Sequence, residues 1–359
     1  MIKNIVRIIV ALIFIASGFV KAIDAVGFSF KLEEYFSPGV FNLPFLEQFA
    51  LPISIFVVAL ELILGVALLL KMDMKRVLKI LITLCVFFGF LTFYSAYYNK
   101  VTDCGCFGDA IKFTPWQSFI KDIVLLIGLI ILWFLYKKDF KNEKSTFKNI
   151  VLLLAVIGSA FIIIKGIISE PIIDFRAYKI GTNLNDEKKK IAENPSEYKV
   201  FYTLKNKTTG ELKEVMQDDY IKINDYWKEG TPWEILTDKS DSKLTKQGYE
   251  SEISKFKLTD ASGNDLTEEV LKAPKAAIIF SYAPAKVDAD DLIAIETFFK
   301  GTPETLVLGV APDLKVFKFV KQATMDGTAI KTIARSNPFV LFLENGKIVD
   351  KGPAKSYLK

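Results

Sequence analysis

Five apolar segments constrain this chain more than any other feature. A hydrocarbon core of ~30 Å takes a helix of ~20 residues. Segments of that length run from about residues 4–23, 52–70, 77–98, 118–136 and 147–168. The chain is 51% hydrophobic with 30 Phe, and the excess sits in these runs; residues 170–359 read as an ordinary soluble domain. The first segment lacks a small-x-small cleavage site and four more follow it, so it reads as a retained span rather than a signal peptide.

Loop charge sets the expected orientation. Lys3 and Arg7 open the first span, Lys71, Lys75, Arg76 and Lys79 crowd the turn between the second and third, and Lys137, Lys138, Lys141, Lys144 and Lys148 crowd the one between the fourth and fifth. The other loops are poor in positive charge: among basic residues, 24–51 hold only Lys31, and 99–117 hold Lys100 and Lys112. All three basic stretches fall on one side of a five-span bundle. The expectation is a bacterial inner-membrane protein with a cytoplasmic N-terminus and a periplasmic tail after residue 168.

Composition excludes several chemistries. With 0 His the chain has no Ser-His or Cys-His pair and lacks the commonest zinc ligand. No long basic stripe lies outside the membrane flanks, so nucleic-acid binding is not expected. Three cysteines are too few for a disulfide scaffold. Cys85, inside an apolar run, reads as a small buried hydrophobe.

The other two, Cys104 and Cys106, stand in "DCGCFGD" between the third and fourth spans. The charge pattern puts this loop on the outer, oxidising side, where disulfides persist. Cysteines at i and i+2 can bridge only if the chain kinks, and Gly105 permits that. A ring this small constrains little chain entropy and makes a poor staple, whereas a strained disulfide exchanges easily. Asp103 and Asp109 flank the pair and disfavour its thiolates. Three readings stay open: a redox dithiol–disulfide pair, a structural bridge, and Cu(I) binding by two thiolates, for which the loop's ligand set is thin. Within the spans, ionisable residues at membrane depth are expensive and usually paired. Glu61 in "VALELILG" is expected to pair with Lys21 or Arg7, as a structural ion pair or in a proton- or quinone-linked role.

"RIIVALIFIASGFVKAID", "ALELILGVALLL" and "DCGCFGD" together resemble the DoxX-like membrane proteins, in the branch that includes MauE, the methylamine-utilisation membrane protein. The resemblance covers about residues 1–138. Its matching positions are Arg7, Ser17, Gly18, Lys21 and Glu61, and its most specific run is Cys104, Gly105, Cys106, Phe107 and Gly108. It implies a membrane redox partner in the maturation of periplasmic proteins. No cofactor is evident from the residues, and the resemblance leaves a quinone open.

In the tail, residues 169–200 read as a linker, and "YKVFYTLKN" followed by "KTTGELKEV" reads as a hairpin within a strand-rich stretch. From residue 274 the order changes to a strand over 275–282, a helix over 288–301, a strand over 305–312, a helix over 313–323 and a hairpin turning at Asn345-Gly346. That order resembles the thioredoxin fold, with Pro338 at its cis-proline position. The redox Cys-x-x-Cys of that fold is replaced by "SYAP", residues 281–284.

The expected fold class is therefore an α-helical membrane bundle, a four-helix DoxX/MauE-like core plus a fifth transmembrane helix, followed by a soluble α/β thioredoxin-like domain. The expected divisions are 1–138 for the four-span domain, 139–168 for the basic linker and fifth span, 169–273 for an outer linker and strand-rich segment, and 274–359 for the thioredoxin-like segment. Expected partners are the lipid bilayer and a periplasmic client or redox partner. The expected function is thiol–disulfide exchange or electron transfer through Cys104 and Cys106; the alternatives are a non-enzymatic scaffold presenting a degenerate thioredoxin-like domain, and metal handling.

Overall fold

A computed structural model describes residues 2–101, 105, 107–111, 113–138, 140 and 145–358. The chain divides into two compact units, Met1–Gly181 with Lys257–Lys359, and Thr182–Phe256. The second unit falls inside the stretch read as linker and strands.

The first unit opens with α1 (Ile2–Ile23), α2 (Ala25–Phe36) and a single turn, α3 (Pro44–Glu47), followed by α4 (Ala50–Leu69), α5 (Met74–Tyr98), α6 (Pro115–Tyr136) and α7 (Thr146–Ile168). Of these, α1, α4, α5, α6 and α7 are long and apolar enough to cross a membrane. The chain is a multi-pass membrane protein. Large apolar side chains such as Leu12, Phe56, Phe90, Phe134 and Phe161 point outward from the bundle, as lipid-facing positions do.

Local chemistry sets the helix starts. Thr114 and Gln117 form a reciprocal capping box ahead of Pro115, which opens α6. The Asp73 carboxylate accepts from Arg76 N–H at the start of α5, and Ser145 Oγ accepts from Lys148 N–H at the start of α7. The antiparallel pair α1 and α4 packs closely. Arg7 donates from Nη1 to the Leu68 carbonyl at 2.8 Å and to the Leu69 carbonyl. The cation thus meets the open carbonyl end of α4, where the helix dipole favours it.

One element of this region departs from the sequence reading. Residues 24–51, read as a bare loop, contain the amphipathic α2. Asp24 caps it by accepting from Gly27 N–H at 2.8 Å. Its apolar face, Ala25, Phe28, Leu32 and Tyr35, is buried.

The second unit carries α8 (Leu184–Glu193), β1 (Glu197–Asn206), β2 (Leu212–Met216), α9 (Gln217–Lys222) and β3 (Trp233–Lys246). The antiparallel sheet has the order β2-β1-β3, and Leu204, Val215 and Tyr226 form its small core. The β1–β2 hairpin is the one expected. In contrast, α8 falls where a linker is expected: Asn183 caps it by accepting from Asn185 and Asp186 N–H.

The first unit resumes with α10 (Thr267–Lys272), β4 (Ala276–Phe280), α11 (Ala289–Lys300), β5 (Leu306–Ala311), β6 (Lys321–Thr324), α12 (Gly327–Ile333), β7 (Phe339–Glu344) and β8 (Lys347–Pro353). The mixed sheet runs β6-β5-β4-β7-β8, with β4, β5 and β6 parallel and β7 and β8 antiparallel. All five residues of β4 are buried, as a central strand covered on both faces requires. The soluble part is thus a mixed-sheet α/β domain.

The helix expected over 313–323 is absent. Lys315 has a φ of +76°, outside the right-handed helical region. The buried Glu296 of α11 accepts from the N–H groups of Lys318 and Phe319 at 2.8 and 2.6 Å, removing donors a helix would use. Residues 321–324 then join the sheet edge, and the helix comes later, as α12. Residues 170–181 run along this domain: Lys351 Nζ donates to the Tyr178 carbonyl at 2.6 Å, and Gly181 N–H to the Ile348 carbonyl at 2.7 Å.

Candidate functional site

Asp103, Cys104 and Cys106 lie outside the described residues. What surrounds them in sequence is described. Gly105 is buried with a φ of +63°, and a Cβ built there would stand 3.1 Å from Lys31 Cγ and 3.9 Å from Phe28 Cδ2. A glycine answers both demands, the left-handed backbone and the close approach to α2. Gly108 N–H donates to the Gly105 carbonyl at 3.0 Å, and Gly108 also has a positive φ, +50°. The Phe107 ring packs edge-on against Phe113 at 5.6 Å and lies 5.5 Å from Lys121 Nζ. These contacts seat the loop on α2 and over the N-terminal part of α6.

Beneath it, polar side chains meet inside the bundle. Lys21 Nζ donates to Glu61 Oε2 at 2.6 Å, and the ammonium lies 5.6 and 5.0 Å from the ring centres of Phe28 and Phe88. Of the two partners the sequence left open for Glu61, Lys21 is the one that meets it, while Arg7 caps α4. On α6, Asp122 accepts from Thr92 Oγ1 at 3.1 Å and pairs with Lys121 at 2.9 Å. Ser17, Lys21, Glu61, Cys85, Lys121 and Asp122 share one small cavity. The buried Cys85 thiol faces the Asp122 carbonyl at 3.5 Å. The cavity therefore joins two acid–base pairs and reaches Phe107 through Lys121.

Above the loop, the mixed-sheet domain closes on α2. Arg335 donates from Nε to both oxygens of Asp24, at 2.9 and 2.8 Å, and from Nη2 to Asp109 Oδ2 at 2.9 Å. Lys331 donates to Glu33 at 2.7 Å, and Tyr282 packs edge-on against Phe30 with ring centres 5.1 Å apart. Asn337 holds the neighbouring loop, accepting from Ser281 Oγ at 2.8 Å and donating to the Ala283 carbonyl at 2.7 Å. The Asn337–Pro338 bond is cis. The "SYAP" stretch, through Tyr282, and the cysteine loop, through Gly105, thus both contact α2.

Charge at this contact is balanced. Burial by itself would raise the Asp24 carboxyl; the guanidinium groups of Arg335 and Arg176 and the Gly27 N–H overcome it and hold the acid below its ordinary range. Arg176 is itself held by Glu170 and Asp174, and donates to the Ile333 carbonyl at 2.9 Å. Burial and the nearby Glu33 push the Tyr282 phenol up to about 12, so it stays protonated at neutral pH. Sequence reasoning missed Asp24, Glu33, Lys331 and Arg335. The N-cap pattern marks Asp24, but nothing local marks Arg335, which is 311 residues away from its partner.

Residues 1–135 match the family described as methylamine utilisation protein MauE. A second similarity is to Protein TlpB of Flavobacterium psychrophilum, 34% identical over 165 residues. That match spans 44% of this chain and 43% of the relative's length. No solved structure matches.

Proposed function

We propose that this protein is an inner-membrane partner in thiol–disulfide exchange, with Cys104 and Cys106 as its redox pair on the periplasmic side. The observation that carries the reading is the seating of Gly105, Phe107 and Asp109 between the intramembrane polar cavity and the mixed-sheet domain. The MauE match over residues 1–135, which takes in the first four spans, supports it as a membrane component of the kind that resemblance implies. The exchange balances simply. The dithiol of a periplasmic client attacks the Cys104–Cys106 disulfide through a mixed disulfide and leaves as a disulfide, and the loop becomes a dithiol. Its two electrons and two protons then pass to a lipid-soluble acceptor of the quinone class, which becomes a quinol. Lys21, Glu61, Lys121 and Asp122 are the groups placed to exchange protons with such an acceptor.

In this reading the mixed-sheet domain is a thioredoxin relative, with Pro338 at the cis-proline position and no cysteine after its first strand. It binds and orients; it does not exchange thiols. The charge bias of the loops supports a cytoplasmic N-terminus and a periplasmic tail.

The test is thiol trapping in intact membranes. After mild reduction both loop cysteines should alkylate, and in C106S the lone Cys104 thiolate should attack the disulfide of an oxidised client, release one client thiol and hold the client as a mixed disulfide that can be identified. Client oxidation that survives C104S/C106S refutes the reading and leaves the chain a scaffold built around its soluble domain.

A further inference from the structure

Arg335 stands between α12 and β7 and is 6% exposed. Its guanidinium meets three segments at once. Nε bonds both oxygens of Asp24, Nη2 bonds Asp109, and Nη1 bonds the Lys331 carbonyl and reaches that of Ala334 at 3.5 Å. The plane also lies 5.7 Å from the Phe30 ring centre. The planar guanidinium presents its donors to the two carboxylates in a fixed geometry, which a lysine ammonium, a point charge, lacks. The site is tightly closed. A Cβ at Gly27 would lie 2.5 Å from Asp24 Oδ2 and 3.0 Å from Arg335 Nη2.

Asp109 follows Cys106 by three residues, so their Cα atoms lie within about 11 Å of each other. Gly105, on the other side of Cys106, rests on Lys31 and Phe28 of α2. Tyr282 rests on Phe30 of the same helix. Helix α2 is therefore a common seat for Gly105 of the cysteine loop and for Tyr282 of the loop after β4, and Arg335 ties Asp109 to Asp24 at the start of that helix.

We propose that Arg335 is a positioning residue for the cysteine loop: it ties Asp109 to Asp24 and so holds the loop on α2, the helix on which Tyr282 of the loop after β4 also rests. The functional meaning of this placement rests on the thiol-exchange reading; the placement itself does not.

Full-length protein in membranes tests it, in a C85A background with A283C added in the loop after β4. A short bifunctional maleimide should join the introduced thiol to Cys104 or Cys106, read by mass spectrometry of the linked peptides. Losing a charged hydrogen bond shifts a docking equilibrium by about tenfold or more. R335Q and D109N should each lower the linked fraction by at least that order, and the double variant should be no lower than R335Q alone, because that change already removes the contact with Asp109. D109E, which keeps the carboxylate, should retain the link. Wild-type linking in R335Q and D109N, additive losses, or no linking with Arg335 in place overturns the proposal. If R335Q fails to fold, D109N carries the test, since it leaves the Arg335–Asp24 pair intact. A normal linking pattern in a protein that never oxidises a client refutes the exchange reading and leaves the positioning role standing.

Discussion

Lys21 and Glu61 form an ion pair of 2.6 Å between α1 and α4, with side chains only 3% and 5% exposed. Their burial makes the pair a sharp energetic test. Each charge has lost its water, and the partner and the Phe28 and Phe88 rings replace it. Removing one partner strands the other, at a cost of about 3–5 kcal/mol. K21A and E61A should each lose that much in denaturation followed in detergent micelles. K21M/E61L, which removes both charges and keeps volume, should lose far less. Single variants no worse than the double show that the pair adds nothing to stability.

The same helix crossing depends on a residue too small to hold its partner away. A Cβ at Gly18 would stand 2.8 Å from Leu62 N and 3.1 Å from Leu62 Cβ. Small residues allow such close approach in membrane bundles. G18V should cost about 1–3 kcal/mol through forced separation of α1 and α4. A melting temperature equal to wild type in micelles counts against this crossing.

Acid should release the contact between α2 and the mixed-sheet domain. The Asp24 carboxyl titrates below its ordinary value of 3.8 in the folded protein. A carboxyl depressed on folding contributes stability above its unfolded pKa, and that contribution is lost as pH falls through the folded value. Asp174 is likewise lowered: burial would raise it, and Arg176 and Lys351 overcome that. Stability should therefore fall on acidification below about pH 4. D24N should be less stable than wild type at neutral pH, with the gap closing toward about pH 2. A gap that stays constant with pH refutes the assignment.

How much of this was legible follows the range of the interactions. The five spans are local and rest on composition, so their number and places were readable. So were the two hairpins, whose turns carry glycine. Helix α2 escaped because it is too short to span and lacks a run of apolar residues. Its signal was the Asp24 cap with apolar residues at 25, 28, 32 and 35. Residues 313–323 resemble helix locally and do not form one: the buried Glu296, from another element, claims the N–H groups of Lys318 and Phe319, and residues 321–324 pair with β5. At the site, Lys21–Glu61 was one of two pairings the spans allowed. The Arg335–Asp109 contact, 226 residues apart, has no local signature at all.

Tyr282 gives the alkaline counterpart of the acid test. Burial and Glu33 raise its phenol from 10.0 to about 12. A group raised on folding contributes stability that is complete below its unfolded pKa and lost as pH climbs through the folded value. Stability should therefore decline between about pH 10 and 12, and less steeply in Y282F. Phenolate absorbance should show one tyrosine, absent from Y282F, ionising only at the top of that range. Ionisation of that tyrosine near its ordinary value of 10.0 would place it in solvent, away from Phe30.

Glu296 offers the last test, because one carboxylate decides the path of a loop. It is fully buried on α11, and Oε2 accepts both the Lys318 and the Phe319 N–H. With the acceptor gone, two half-buried backbone donors lose their bonds, at about 0.5–1.5 kcal/mol each. E296L fills the space but cannot accept, so it should destabilise the protein by about 1–3 kcal/mol. E296Q keeps one neutral acceptor and should lose about half as much. Hydrogen exchange should locate the change: the amides of residues 318 and 319 should exchange faster in E296L well before the β4 amides do. Uniform acceleration across the sheet would mean that Glu296 supports the domain as a whole and not this loop.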